Sequence, residues 1–170
     1  MGVRAAILLE ADYEDLEYWY PLLRLAEAGI AADTVAPEKR MYLSKHGYPA
    51  RSTATAATAR RTAYDAVIIP GGWAPDKMRR YPDMVAVVKK AAARGKVVAS
   101  ICHGGSMLVS ADCVRGRRVT SVRAIRDDLA AAGARWRDER VVRDGNFITA
   151  QTPADLPEFM KAVFDALKIR

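Results

Sequence analysis

Two segments of strand length, Ala66–Ile69 and Val97–Ile101, apolar at every position but Ser100, each run straight into a glycine-rich turn. The first is followed by Pro70-Gly71-Gly72, the second by Cys102-His103-Gly104-Gly105. Strands apolar at nearly every position suit a sheet covered on both faces, which is the habit of parallel sheets flanked by helices. Between the two, residues 81–94 have helical periodicity, with Pro82 near the start and Gly95 after the end.

The same alternation runs along the chain. Residues 3–9 read as a strand and the stretch opening at Asp12 as a helix, its apolar positions being Leu16, Trp19/Tyr20, Leu23 and Ala26, with Gly29 as the cap. Residues 30–36 form a second strand stopped by Pro37. Met41–Leu43 and the turn Lys45-His46-Gly47-Tyr48-Pro49 suggest a short hairpin, and a Thr/Ala-rich connection follows. A helix over 103–111, short strands near 119–122, 140–142 and 147–150, a helix over 124–132 capped by Gly133, and a last helix over 153–167 complete the pattern. The expectation is one α/β domain over residues 1–170, a doubly wound, flavodoxin-like sandwich around a mostly parallel sheet. Ligands in such folds bind beyond the carboxyl ends of the strands, here residues 10–14, 70–73 and 100–105.

Cys102 is the residue that carries chemistry. Small residues two positions before and after it, Ser100 and Gly104, let strand and helix meet in a tight, strained turn, the steric logic of a nucleophile elbow. At a helix N-terminus the dipole and free N–H groups favour the thiolate, which is the nucleophilic form. The N–H groups of Gly72 and His103 are candidate donors to an oxyanion, with Gly71 and Gly104 allowing the close approach and Trp73 placed to touch a ligand. Asp12, Asp15 and Glu17 read as acidic residues of a helix first turn. Cys113, at a helix end, reads as structural or incidental.

Composition narrows the classes. The net charge of +7 comes from arginines spread along the chain, without the one-sided basic face interleaved with aromatics that nucleic acid requires. No apolar run approaches the roughly 18 residues of a membrane span. The N-terminus has neither a cleavage-site pattern nor a myristoylation signal, so a cytoplasmic location is expected. Two cysteines at opposite ends of one helix make no disulfide framework. Two histidines without Cys-x-x-Cys spacing offer little for a structural zinc site, and no metal or cofactor is expected. A single asparagine and a single glutamine, beside many ion-pairing groups, suggest a thermophilic source.

PGGWAPD, VVASICHGG, RGRRVTS with downstream IRDDL, and TPADLPEF together resemble the PfpI-type intracellular peptidases of the ThiJ/PfpI superfamily, whose fold is similar to class I glutamine amidotransferases. The resemblance runs nearly end to end. It implies that Cys102 is the nucleophile, His103 its adjacent histidine, and Glu14 the glutamate hydrogen-bonded to the thiol. It also implies that Asp76, where archaeal peptidases have glutamate, completes a triad from a neighbouring subunit, and hence at least a dimer, with trimeric or hexameric rings as further options. Gly105 replaces a proline common in relatives, and Val122 a tyrosine near the site. The activity so implied is a cysteine hydrolase acting on peptides or on glyoxal- or methylglyoxal-modified protein groups, the deglycase type. The alternatives are a cofactor-free glyoxalase and a non-enzymatic stress sensor or chaperone that works by oxidation of Cys102. A glutaminase subunit needs a histidine well beyond the elbow, and the chain has none after His103.

Overall fold

A computed structural model describes residues 2–169. In chain order the elements are β1 (Arg4–Leu8), α1 (Asp15–Glu27), β2 (Ala31–Ala36), β3 (Met41–Leu43), β4 (Pro49–Arg51), β5 (Ala54–Thr55) and α2 (Ala56–Ala59). Then come β6 (Ala66–Ile69), α3 (Ala74–Met78), α4 (Pro82–Ala93), β7 (Val97–Ile101) and α5 (Gly105–Ser110). The chain finishes with β8 (Arg118–Val119), α6 (Arg126–Ala131), β9 (Arg135–Trp136), β10 (Val141–Asp144), β11 (Phe147–Ala150) and α7 (Leu156–Leu167).

The apolar strands form the centre of a seven-stranded sheet in the order β10-β11-β7-β6-β1-β2-β5. All pairings are parallel except that of the edge strand β10 with β11. This is the flavodoxin-like arrangement expected. β1, β6 and β7 are neighbours in register, Ala5 beside Ala66 and Ala66 beside Val97, so their carboxyl ends arrive side by side. Both faces are covered: every residue of β6, β7 and β11 is buried, Ser100 and Thr149 included. Among the described residues, no helix is long and apolar enough to cross a membrane.

Three differences from the sequence reading have local causes. The 70s contain a five-residue helix, α3, too short to show periodicity. The Thr/Ala-rich tract makes a two-residue edge strand and one helical turn capped by the Thr55 side chain. The third matters for function: α1 is rotated about its axis from the apolar face proposed for it. It buries Glu17, Tyr18, Pro21 and Leu25, and leaves Leu16 and Leu23 57% and 62% exposed.

Candidate functional site around Cys102

β7 ends at Ile101, and the next residue takes φ 58°, a left-handed conformation that a side chain bearing Cβ adopts only at a cost of roughly 1–3 kcal/mol. That residue is Cys102. The turn is held by close approach: a Cβ on Gly104 would stand 2.3 Å from the Ile69 carbonyl oxygen at the end of β6. The strained elbow read from the sequence is therefore present. Cys102 begins a single turn of 3-10 helix that passes into α5, and the residue is partly buried.

The neighbouring turn closes in from β6. Gly71 donates its N–H to Glu17 Oε2 at 2.7 Å, and a Cβ at Gly71 would lie 2.7 Å from that oxygen and 2.8 Å from Cys102 Cβ. Gly72, at φ 69°, fits against the backbone of residues 12–14, where any side chain would collide. The N–H groups of Gly72 and His103 bear on the Cys102 sulfur and draw its pKa down, as a pair of donors to developing negative charge would.

The carboxylate at the sulfur is Glu17. Glu14, assigned that place by resemblance, instead caps α1: its Oε2 accepts the Glu17 backbone N–H at 2.9 Å. The exchange of roles follows from helical spacing. A residue at the N-cap points back along the chain, whereas one three positions on lies over the sheet end, where the β6 and β7 turns meet. Glu17 is completely buried, one oxygen held by Gly71 and the other, Oε1, without a hydrogen-bond partner. Burial raises its pKa to about 7, reinforced by the Glu14 charge. Burial and the Glu17 charge together push Cys102 up to about 12. At the sulfur the helix N-terminus is therefore opposed by burial and by the Glu17 charge, both of which favour the protonated thiol.

His103 Nδ1 stands 3.4 Å from Cys102 Sγ. Desolvation and the Lys45 charge lower the pKa of its ring, which favours the neutral imidazole. Lys45 is a member of the site that sequence reasoning missed. It rides on the β3–β4 turn, whose backbone is tied to Tyr13 by Lys45 N–H donating to Tyr13 C=O at 3.0 Å. Its charge bears on both Glu17 and His103. The Trp73 ring, 61% exposed, lies over His103 with centroids 5.3 Å apart. Both rings line an open cleft of about 350 Å³ together with Gly72, Asp76, Arg80 and Asp128. Asp76 is exposed and paired with Arg80 at 3.6 Å. Among the described residues no carboxylate hydrogen-bonds to His103, so one chain does not assemble a Cys–His–Asp triad by itself. Cys113 donates to the Leu108 carbonyl at 3.4 Å, and burial pushes its pKa to about 11, as suits an inert thiol.

Comparison with known proteins identifies the family. An uncharacterized protein of Archaeoglobus fulgidus is 43% identical over 98% of this chain and 99% of its own length. Deglycase PH1704 of Pyrococcus horikoshii is 37% identical over 98% of this chain and all of its own. The crystal structure of a two-domain protein from Anabaena variabilis, with DJ-1/ThiJ/PfpI-like and ferritin-like domains, superposes with a TM-score of 0.95 at 39% identity, covering 98% of this chain and 48% of that one. The DJ-1/PfpI family model matches residues 3–166, and with relatives of this identity over nearly the full length, the chain belongs to the DJ-1/PfpI family.

Proposed function

We propose that the chain is a cysteine-dependent hydrolase of the deglycase type, which removes glyoxal or methylglyoxal groups from modified amines. One observation carries this reading: the fully buried Glu17 carboxyl group, held by Gly71 N–H, lies beside the Cys102 thiol, where burial raises its pKa toward neutrality. A general base works best with a pKa near the operating pH. Cys102 sulfur forms a bond to the electrophilic carbon of the adduct as its proton passes to Glu17, and the amine leaves with a proton. The oxygen on that carbon faces the N–H groups of Gly72 and His103, and water then releases the covalent intermediate and restores the thiol. Trp73 and His103 form the aromatic side of the cleft that receives the substrate. Relatives named as deglycases support the same class.

The peptidase alternative needs a carboxylate behind His103, and Asp76 supplies it only across a subunit interface. An assembly is favoured by an apolar surface on the same side of the molecule. Leu16 and Leu23 project from α1, Leu43 and Tyr48 from the β3–β4 hairpin, all more than half exposed, and Trp19 packs edge-on against Tyr48 to join the two elements. Single exposed apolar residues are ordinary, but a joined set of this size marks a contact surface, here for a second copy of the chain.

The test is release of amine from a methylglyoxal-treated peptide by wild type, Cys102→Ser and Asp76→Asn. The deglycase reading expects turnover in wild type and Asp76→Asn and background in Cys102→Ser. Loss of turnover in Asp76→Asn, with cleavage of an unmodified peptide by wild type, selects the peptidase. Wild type no faster than Cys102→Ser, with a specific mass gain at Cys102 under peroxide, overturns the enzyme and selects the redox sensor.

A further inference from the structure

The cleft beside Cys102 draws its lining from α3, α5 and α6, and its charges are unevenly matched. Three cations from α3 and the turn after it, Lys77, Arg79 and Arg80, line it. Two of them already have carboxylates: Lys77 is paired with Asp12, and Arg80 with Asp76 at 3.6 Å. Arg79 forms no ion pair among the described residues. Its Nε donates to Ser110 Oγ at 2.9 Å, a neutral partner on α5, and its two terminal nitrogens donate to no group among the described residues. A guanidinium tethered at Nε presents a fixed fork of donors, the geometry that a carboxylate accepts in two parallel bonds.

Helix α5 gives the scale of the cleft. Ser106 and Ser110 stand four and eight residues beyond Cys102 on one continuous stretch of 3-10 and α-helix. At about 1.5 Å per residue they mark roughly 6 Å and 12 Å from the cysteine, on nearly the same face. Ser106 also lines the cleft; it is 9% exposed and makes no side-chain hydrogen bond among the described residues. Its hydroxyl is therefore available to an occupant of the cleft. The row so formed has the thiol at one end, a hydroxyl in the middle and an unmatched guanidinium at the far end.

Resting on the deglycase reading of Cys102, we infer that the cleft selects adducts on acidic peptides, with Arg79 as the residue that sets this specificity. The modified amine lies at Cys102, Ser106 bonds the peptide in between, and Arg79 takes a carboxylate roughly 12 Å from the reacting carbon. An extended chain advances about 3.3 Å per residue, so that carboxylate belongs to an aspartate or glutamate within about four residues of the modified one. Asp128, from α6, is the other charge of the cleft without an ion-pair partner among the described residues. The site thus favours one carboxylate placed at Arg79 over a chain that is acidic throughout.

The test compares two end-blocked peptides with a single methylglyoxal-modified lysine, one carrying glutamates two and four residues away on both sides, the other glutamines at the same places. Wild type should restore the free lysine amine of the glutamate peptide with a kcat/KM about tenfold higher, through KM, and the gap should shrink as salt is raised. Arg79→Gln should close the gap to within about twofold by raising KM for the glutamate peptide, and Arg79→Lys should keep part of it. Ser106→Ala should raise KM for both peptides. Equal turnover of the two peptides by wild type, a preference that survives Arg79→Gln, or a loss in Arg79→Gln that falls equally on both would each overturn the inference and leave the deglycase reading standing. If wild type turns over neither peptide, that reading fails instead, and calorimetric titration with the two unmodified peptides decides the inference. Tighter binding of the glutamate peptide, lost in Arg79→Gln, upholds the acidic-peptide site, and equal binding removes it.

Discussion

Helices α1 and α7 pack against the same sheet and solve opposite problems. α7 buries Leu156, Phe159, Met160 and Val163 and puts its charged residues in water, as a structural helix does. α1 buries a glutamate and exposes two leucines. The inversion costs stability at both faces, and α1 is the helix that borders both the proposed site and the proposed contact surface. Rule-breaking positions mark function when the rest of the fold obeys the rules.

The sharpest way to break the comparison is to make α1 ordinary. Glu17→Gln keeps the shape and removes the base. Turnover on the modified peptide should fall by about 10²–10⁴-fold, the usual range for losing general-base catalysis. In wild type, kcat/KM should rise as pH climbs through about 7 and Glu17 loses its proton, and in Glu17→Gln that step should vanish. Stability moves the other way. The folded pKa of Glu17 lies above its unfolded value of 4.5, so the folded state binds more protons between 4.5 and about 7, and stability falls as pH rises through that window. Above it, the buried charge costs about 3 kcal/mol. Glu17→Gln should therefore raise Tm at pH 8 while leaving it little changed at pH 4. A substitution that lowered both activity and Tm at pH 8 would mean that Glu17 holds the fold together rather than serving chemistry.

The matching change in α7, Phe159→Ala, should cost about 3–5 kcal/mol in denaturant unfolding and leave kcat per folded molecule intact. Between these lies Gly104→Ala at the elbow. A methyl group there meets the Ile69 carbonyl, a backbone atom that cannot yield, so a loss of about 1–3 kcal/mol is expected together with reduced Cys102 alkylation, because the strand ends must part. Reduced alkylation with unchanged stability would show that the turn relaxes locally.

The same contrast explains what the sequence could and could not reveal. Ala66–Ile69, Val97–Ile101 and Phe147–Ala150 were legible to the residue, because strands buried on both faces are apolar at nearly every position. The elbow was legible from Cys102 and its small neighbours for a steric reason. The face of α1 was not. Hydrophobic periodicity assumes that leucine goes in and glutamate out, and at α1 both assumptions fail together, so Leu16 and Leu23 pointed to the wrong face and Glu17 read as an ordinary first-turn acid, while Glu14 took the place beside the thiol by resemblance alone. The turn after β6 is the partner that demands a buried carboxylate, and only the fold brings Gly71 N–H to residue 17, 54 positions earlier. Lys45 was obscure for a related reason: the groups its charge bears on, Glu17 and His103, lie on other elements.

The smallest effect on the monomer tests the exposed half of α1. Leu23→Ser removes apolar surface that is 62% exposed, so the unfolding free energy of a dilute, dissociated sample should change by less than about 0.5 kcal/mol. In sedimentation at micromolar concentration, the same change, especially combined with Leu16→Ser, should shift the assembly toward monomer, since the two side chains lie two helical turns apart on one stripe. The two measurements have to separate. If stability drops by several kcal/mol with no change in assembly, Leu23 packs within its own chain and the outward face of α1 has another purpose. If neither moves, α1 exposes leucine without a partner, and the inversion of the helix is left to Glu17 alone.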